Sequence, residues 1–179
     1  MKRMIPFLIA FICFLLVIIE GVVANTRLPF INDEWVIVSH FLFMFLIYVT
    51  MFFEKDTTYY AIILSVVFSL IIDVVYTDIL GVYLFIYTVI LYAIRGLMKV
   101  LQANFLIAFI MTAFGVIATD IFSFFLYNII QVHEDSWSMY LYERLIPTTI
   151  WNVIIGLVLY LIFAKRLAKW SYIKFERQD

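Results

Sequence analysis

The chain has 179 residues, of which 66% are hydrophobic and 14% charged, with a formal net charge of −1. Soluble domains are nearer half apolar and a quarter charged. A mean hydropathy of +1.09, with charges gathered between long apolar runs, therefore excludes an ordinary soluble domain and reads as a polytopic membrane protein. The near-neutral charge argues against a nucleic-acid binder.

Met1-Lys2-Arg3 precedes an apolar run from Met4 to Ala24. The basic start and Val22-Val23-Ala24 have the pattern of a signal peptide with a weak cleavage site. The length of the run, Glu20 within it and the five hydrophobic runs that follow favour an uncleaved first transmembrane helix. Cys13, the one cysteine, lies in this run and reads as a small core hydrophobe. Asn25 to Asp33 holds Pro29, Asn32 and Asp33, residues of turns and helix starts. A second helix is expected from Glu34 to Phe53, with Trp35 at the membrane interface, and Glu54-Lys55-Asp56 is a short loop. The third helix is expected over Thr58–Val75 and the fourth over Ile79–Ile94. The fourth is short for a ~30 Å hydrocarbon core. Its continuation through Arg95 to Leu101 would let Arg95 and Lys99 snorkel to the headgroups. A fifth helix is expected over Asn104–Tyr127, a polar stretch over Asn128–Tyr140, and a sixth helix over Leu141–Ala164. Residues 165–179 form a basic, aromatic tail in which charged and apolar positions do not separate at helical spacing. That tail is expected to lie on the membrane surface and hold anionic lipid or a cytoplasmic partner.

The expected architecture is thus all-α, one six-helix transmembrane domain over residues 1–164 followed by the tail. Six spans put both termini on one side. Lys2, Arg3, Lys55, Arg95, Lys99, Lys165, Arg166, Lys169, Lys174 and Arg177 share that side, against Arg27 and Arg144 on the other. The positive-inside rule makes the shared side cytoplasmic.

This topology gives each polar residue a depth. Glu20, Asp73 and Asp120 lie late in outward-running helices, and His40 and Arg144 lie early in inward-running ones. All five fall in the outer half of the bilayer, with Asn152 deeper in the last helix. A carboxylate at mid-bilayer costs ~2.5–3.5 kcal/mol on insertion scales, so such groups face protein, water or a partner. One interior ion-pair layer is expected, with Arg144 and His40 as the available cations. Asp73 stands out, because the apolar run breaks at Tyr76-Thr77-Asp78 and resumes at Gly81. Two aspartates near one face, Asp73 and Asp120, could form an acid–base pair for intramembrane proteolysis. Their flanks, Ile72-Asp73-Val74 and Thr119-Asp120-Ile121, carry no protease motif. His40 and His133 have no metal-ligand spacing, and no cofactor motif is present.

The pattern Asp73-x-x-Tyr76-x-x-x-Leu80-Gly81-Val82-Tyr83 resembles the core motif of the bacterial rod shape-determining MreD family, and Arg144-x-x-Pro147-Thr148-x-x-x-Asn152 resembles the last-helix pattern of its Gram-positive members. Asp120 departs from it, since Glu is as readily expected there. The resemblance implies a non-enzymatic protein of the bacterial cytoplasmic membrane, with no cofactor and no small-molecule substrate. It implies association with MreC, and through it with MreB, RodA and the elongation transpeptidase, to place lateral peptidoglycan synthesis. It also implies a fold similar to the substrate-binding subunits of energy-coupling-factor vitamin transporters. Those subunits are the alternative function, disfavoured here because the first helix has no Ala-x-x-x-Ala face around Ala10 and the outer loops are short. Under the family reading Asp73 and the Tyr76–Asp78 turn shape the outer surface, and Asp73→Ala is expected to weaken partner association without blocking insertion.

Overall fold

A computed structural model describes residues 2–26, 35–77, 79–131 and 136–176, which form helices and their connections with no strand among them. The helices are α1 (Ile5–Asn25), α2 (Phe41–Phe53), α3 (Tyr60–Tyr76), α4 (Val82–Met98), α5 (Phe105–Ile129) and α6 (Trp137–Glu176). Three of them, α1, α5 and α6, are long and apolar enough to cross a membrane. Pro6 sits in the first turn of α1, where its missing N–H costs no helical bond. Asn104 caps α5 by accepting the Ile107 N–H at 2.9 Å, and Ser136 caps α6.

Two expected boundaries are corrected. The second helix starts at Phe41 rather than Glu34, and residues 35–40 are non-helical. The last helix starts at Trp137 rather than Leu141 and does not stop at Ala164; it runs unbroken to Glu176. The reason for the second correction is packing. Leu167, Ser171 and Ile173 are buried, and Phe175 lies 5.6 Å from the Phe53 ring and 6.4 Å from Tyr60. The apolar positions that look scattered on a free tail are the ones that meet α2 and α3.

α2 is the centre of the molecule. Every side chain from Phe41 to Tyr48 is buried, so the helix is apolar all round, as a core helix must be. Around it α1 packs on α2 and α3, α3 on α4, α4 on α5, α5 on α6, and α6 closes back on α2. Its length, ~20 Å at 1.5 Å per residue, is made up by the extended segment before it.

At the end where α1 starts and α6 stops, Arg95 is corrected from a snorkelling cation to a buried one. It donates to Glu54 at 2.6 Å and to the Asp56 carbonyl at 2.6 Å, and its guanidinium lies 4.3 Å from the centre of the Tyr59 ring. Glu54 in turn accepts the Ala61 N–H at 2.6 Å, closing the first turn of α3. Lys55 pairs with Glu176 at 2.6 Å, which fastens the end of α6 to the α2–α3 loop.

Candidate functional site

The opposite end of the bundle collects the polar residues. Their first task is to satisfy backbone groups, because a buried N–H or C=O has no water to pair with. The extended segment before α2 would leave its N–H and C=O groups bare. It lies instead along α6, residue against residue. Val36 donates to the Glu143 carbonyl at 2.9 Å. Val38 donates to Thr148 Oγ1 at 3.1 Å, and Asn152 Nδ2 donates to the Val38 carbonyl at 2.7 Å. His40 N–H donates to Asn152 Oδ1 at 2.7 Å. Trp151 Nε1 donates to Ser39 Oγ at 3.0 Å. The spacing matches: two extended residues advance ~6.6 Å and four helical ones ~6 Å. Pro147 makes this possible. Having no N–H, it leaves the carbonyl four residues back, on Glu143, free to receive Val36. The π-helical turn over Leu141–Leu145 accommodates the ring.

Two acids serve the same end. Glu20 Oε2, on α1, accepts the Leu42 N–H in the first turn of α2 at 3.2 Å. Asp73, on α3, accepts three N–H groups at the start of α4: Gly81 at 3.0 Å, Tyr83 at 2.9 Å and Leu84 at 3.0 Å. Both carboxylates also lie at the positive end of a helix dipole. Gly81 has φ +96°, a left-handed conformation natural to glycine, and this turns its N–H back onto Asp73. Tyr76 lies against Gly21, where any side chain would collide with its ring, and donates to the Val17 carbonyl at 3.2 Å. The acids of the expected ion-pair layer are therefore divided. Glu20 and Asp73 are held by backbone, and Asp120 is the one that meets Arg144 and His40. Asp78 lies outside the described residues.

Asp120 is fully buried on α5, with Arg144 Nε 3.6 Å and His40 Nε2 3.8 Å from its Oδ1. Among the described residues neither of its oxygens has a hydrogen-bond partner, and neither do His40 Nε2 and Arg144 Nε. The other His40 nitrogen is satisfied by the Tyr87 hydroxyl at 2.8 Å. Tyr140 donates to the Asp120 carbonyl at 2.8 Å, and its ring lies 5.4 Å from the Arg144 guanidinium. Beside this group opens a cavity of about 380 Å³, lined by Glu20, Ser39, Tyr76, Tyr83, Tyr127 and Arg144 among others. Its lining is drawn from α1, the extended segment, α3, α4, α5 and α6. Among the described residues no three His, Cys, Asp or Glu side chains come together as a metal site.

A family model described as "rod shape-determining protein MreD" matches residues 1–170. The chain belongs to the MreD family. The rod shape-determining protein MreD of Bacillus subtilis (strain 168) is 30% identical over 167 residues, covering 91% of this chain and 92% of that protein. No solved structure matches the chain. Membership makes the protein one of rod shape determination, and its long apolar helices are those of a membrane protein.

The two MreD-like stretches now have physical meanings. Asp73 to Tyr83 is a carboxylate capping the next helix across a glycine turn. Arg144 to Asn152 is the strip that receives the extended segment, with Arg144 reaching Asp120 from its near end. Sequence reasoning missed the backbone-binding roles of Glu20, Thr148 and Asn152, and it missed Tyr87 and Tyr140 altogether. Pro147 was the available signal for the π-helical turn in α6. Nothing local marked residues 35–40 as extended.

Proposed function

We propose that this MreD-family chain is a non-enzymatic scaffold of the cell-elongation machinery. It spans the bacterial cytoplasmic membrane six times with both termini in the cytoplasm. Residues 1–164 occupy the bilayer, and residues 165–179 lie at its inner surface. It binds MreC, and through MreC it helps place MreB, RodA and the elongation transpeptidase for lateral peptidoglycan synthesis. The clustering of Lys55, Arg95 and the basic end of α6 at the end of the bundle where α1 starts and α6 stops supports the orientation.

The observation that carries the reading is the Asp120–His40–Arg144 group. It is a buried polar cluster with unmet hydrogen-bonding capacity among the described residues, and its Arg144 lines the cavity at the same end of the bundle. Buried polar groups are ordinarily satisfied, and those that are not call for an account. A partner segment that seats in the cavity and offers donors and acceptors completes the set. Polar contacts between membrane helices contribute ~0.6 kcal/mol each on average, enough for selectivity when several act together.

The test is co-purification of MreC in mild detergent with the wild-type chain and with Asp120→Asn and Arg144→Gln. Both variants are expected to accumulate in the membrane normally and to lose most of the captured MreC. Undiminished capture by both, at wild-type abundance, overturns the assignment.

A further inference from the structure

A second concavity, of about 750 Å³, lies at the opposite end of the molecule between the start of α1 and the last turns of α6. Its apolar wall is built by Phe7, Leu8 and Phe11, all exposed, with half-buried Trp170 across from them. Among the described residues its rim carries Arg166 and Lys169 and no carboxylate. Neither cation has an ion pair or hydrogen bond among the described residues, and the nearby Glu176 is engaged with Lys55.

The depth of this groove follows from the bonds at the far end. Glu20 meets Leu42 and Asn152 meets His40, so Glu20 on α1 and Asn152 on α6 stand at nearly one level. From that level Phe7 is ~20 Å down α1 and Arg166 is ~21 Å down α6. The two cations therefore sit beside the first turn of α1, at headgroup height, and Phe11 lies ~6 Å deeper, at the height of acyl chains. A tryptophan at the boundary fits the same placement.

We propose that this groove is a binding site for one anionic phospholipid of the cytoplasmic leaflet. Its phosphate would sit on Arg166 and Lys169, and an acyl chain would lie along Phe7 and Phe11. Charge and depth select the occupant: a cationic rim above an apolar wall complements an anionic head above a hydrocarbon tail. The site rests on the membrane reading but not on MreC binding, so failure of the capture experiment leaves it standing.

The test is native mass spectrometry of the purified full chain, equilibrated with equal amounts of phosphatidylglycerol and phosphatidylcholine. The wild-type chain is expected to retain one phosphatidylglycerol preferentially. R166Q/K169Q should lose about 30-fold of that preference, at roughly the strength of two surface cations. Lys99→Gln, a cation on the same side but outside the groove, should keep it, and F7A/F11A should weaken retention of both lipids alike. Soluble glycerol phosphate should not displace the lipid. Equal retention of the two lipids by the wild-type chain, or unchanged preference in R166Q/K169Q at wild-type helicity, overturns the site. So does an equal loss in Lys99→Gln, and so does displacement of the lipid by a transmembrane peptide of MreC.

Discussion

The α3–α4 turn and the α5–α6 face each bury one aspartate with no exposed surface, and they hold it in opposite ways. Asp73 receives three backbone N–H groups, and the start of α4 is built around it. Among the described residues Asp120 receives none, and Arg144 Nε and His40 Nε2 stand beyond hydrogen-bond distance. The first carboxylate is spent on the fold, whereas the second retains capacity for a ligand or a partner. Burial alone does not separate a structural acid from a functional one; the accounting of donors and acceptors does.

Asp73→Ala should have the largest effect. It strips three donors, one buried and two part-buried, of their acceptor at ~1–3 kcal/mol for a stranded group, non-additively, so a loss of about 3–6 kcal/mol is expected. Unfolding of the detergent-solubilised chain measures it. This moves the expected consequence of the substitution from partner association to stability. Loss of MreC capture by Asp73→Ala with unchanged unfolding would reverse the comparison.

Asn152→Ala should follow at about 2–4 kcal/mol, since His40 N–H and the Val38 carbonyl lose their partners together. Protease sensitivity of the chain N-terminal to α2 should rise with it. An unchanged digestion pattern would show that Thr148 holds the segment by itself.

Gly81→Ala should cost about 1–2 kcal/mol from the left-handed backbone alone, with no steric clash around the new methyl group. Combined with Asp73→Ala it should be less than additive, because both act on one turn.

Asp120→Asn should be the mildest in stability, under about 1 kcal/mol, because no hydrogen bond of the carboxylate is lost. In the double-mutant cycle with Arg144→Gln, the two stability effects should partly cancel while MreC capture falls in all three variants. A stability loss for Asp120→Asn equal to that of Asp73→Asn would erase the distinction between the two acids.

Much of the architecture was legible from hydropathy. Six apolar runs became six helices, and the charges that separate them marked the turns. Counting residues along alternating runs led to the expectation of Glu20, His40, Asp73, Asp120 and Arg144 in one layer, with Asn152 deeper. Legibility failed where long-range hydrogen bonds decide local structure. Trp35 to His40 are apolar enough for a helix, and they are extended only because α6 offers Thr148, Asn152 and the Glu143 carbonyl at the right rise. Arg95 looked like a headgroup-seeking cation because Glu54 is distant in sequence and 2.6 Å away in space.

The sequence by itself determined that the chain is helical and membrane-embedded, and that its charged groups lie toward the helix ends, because transfer of apolar and polar atoms is a property of composition and spacing. Only the tertiary structure decided which acid meets which partner. A carboxylate on one helix is indifferent, in sequence, to whether it will meet a guanidinium or the open N–H groups of a neighbouring helix. Close packing around α2 brought Asp73 to the amides and left Asp120 facing Arg144 and His40 across a gap.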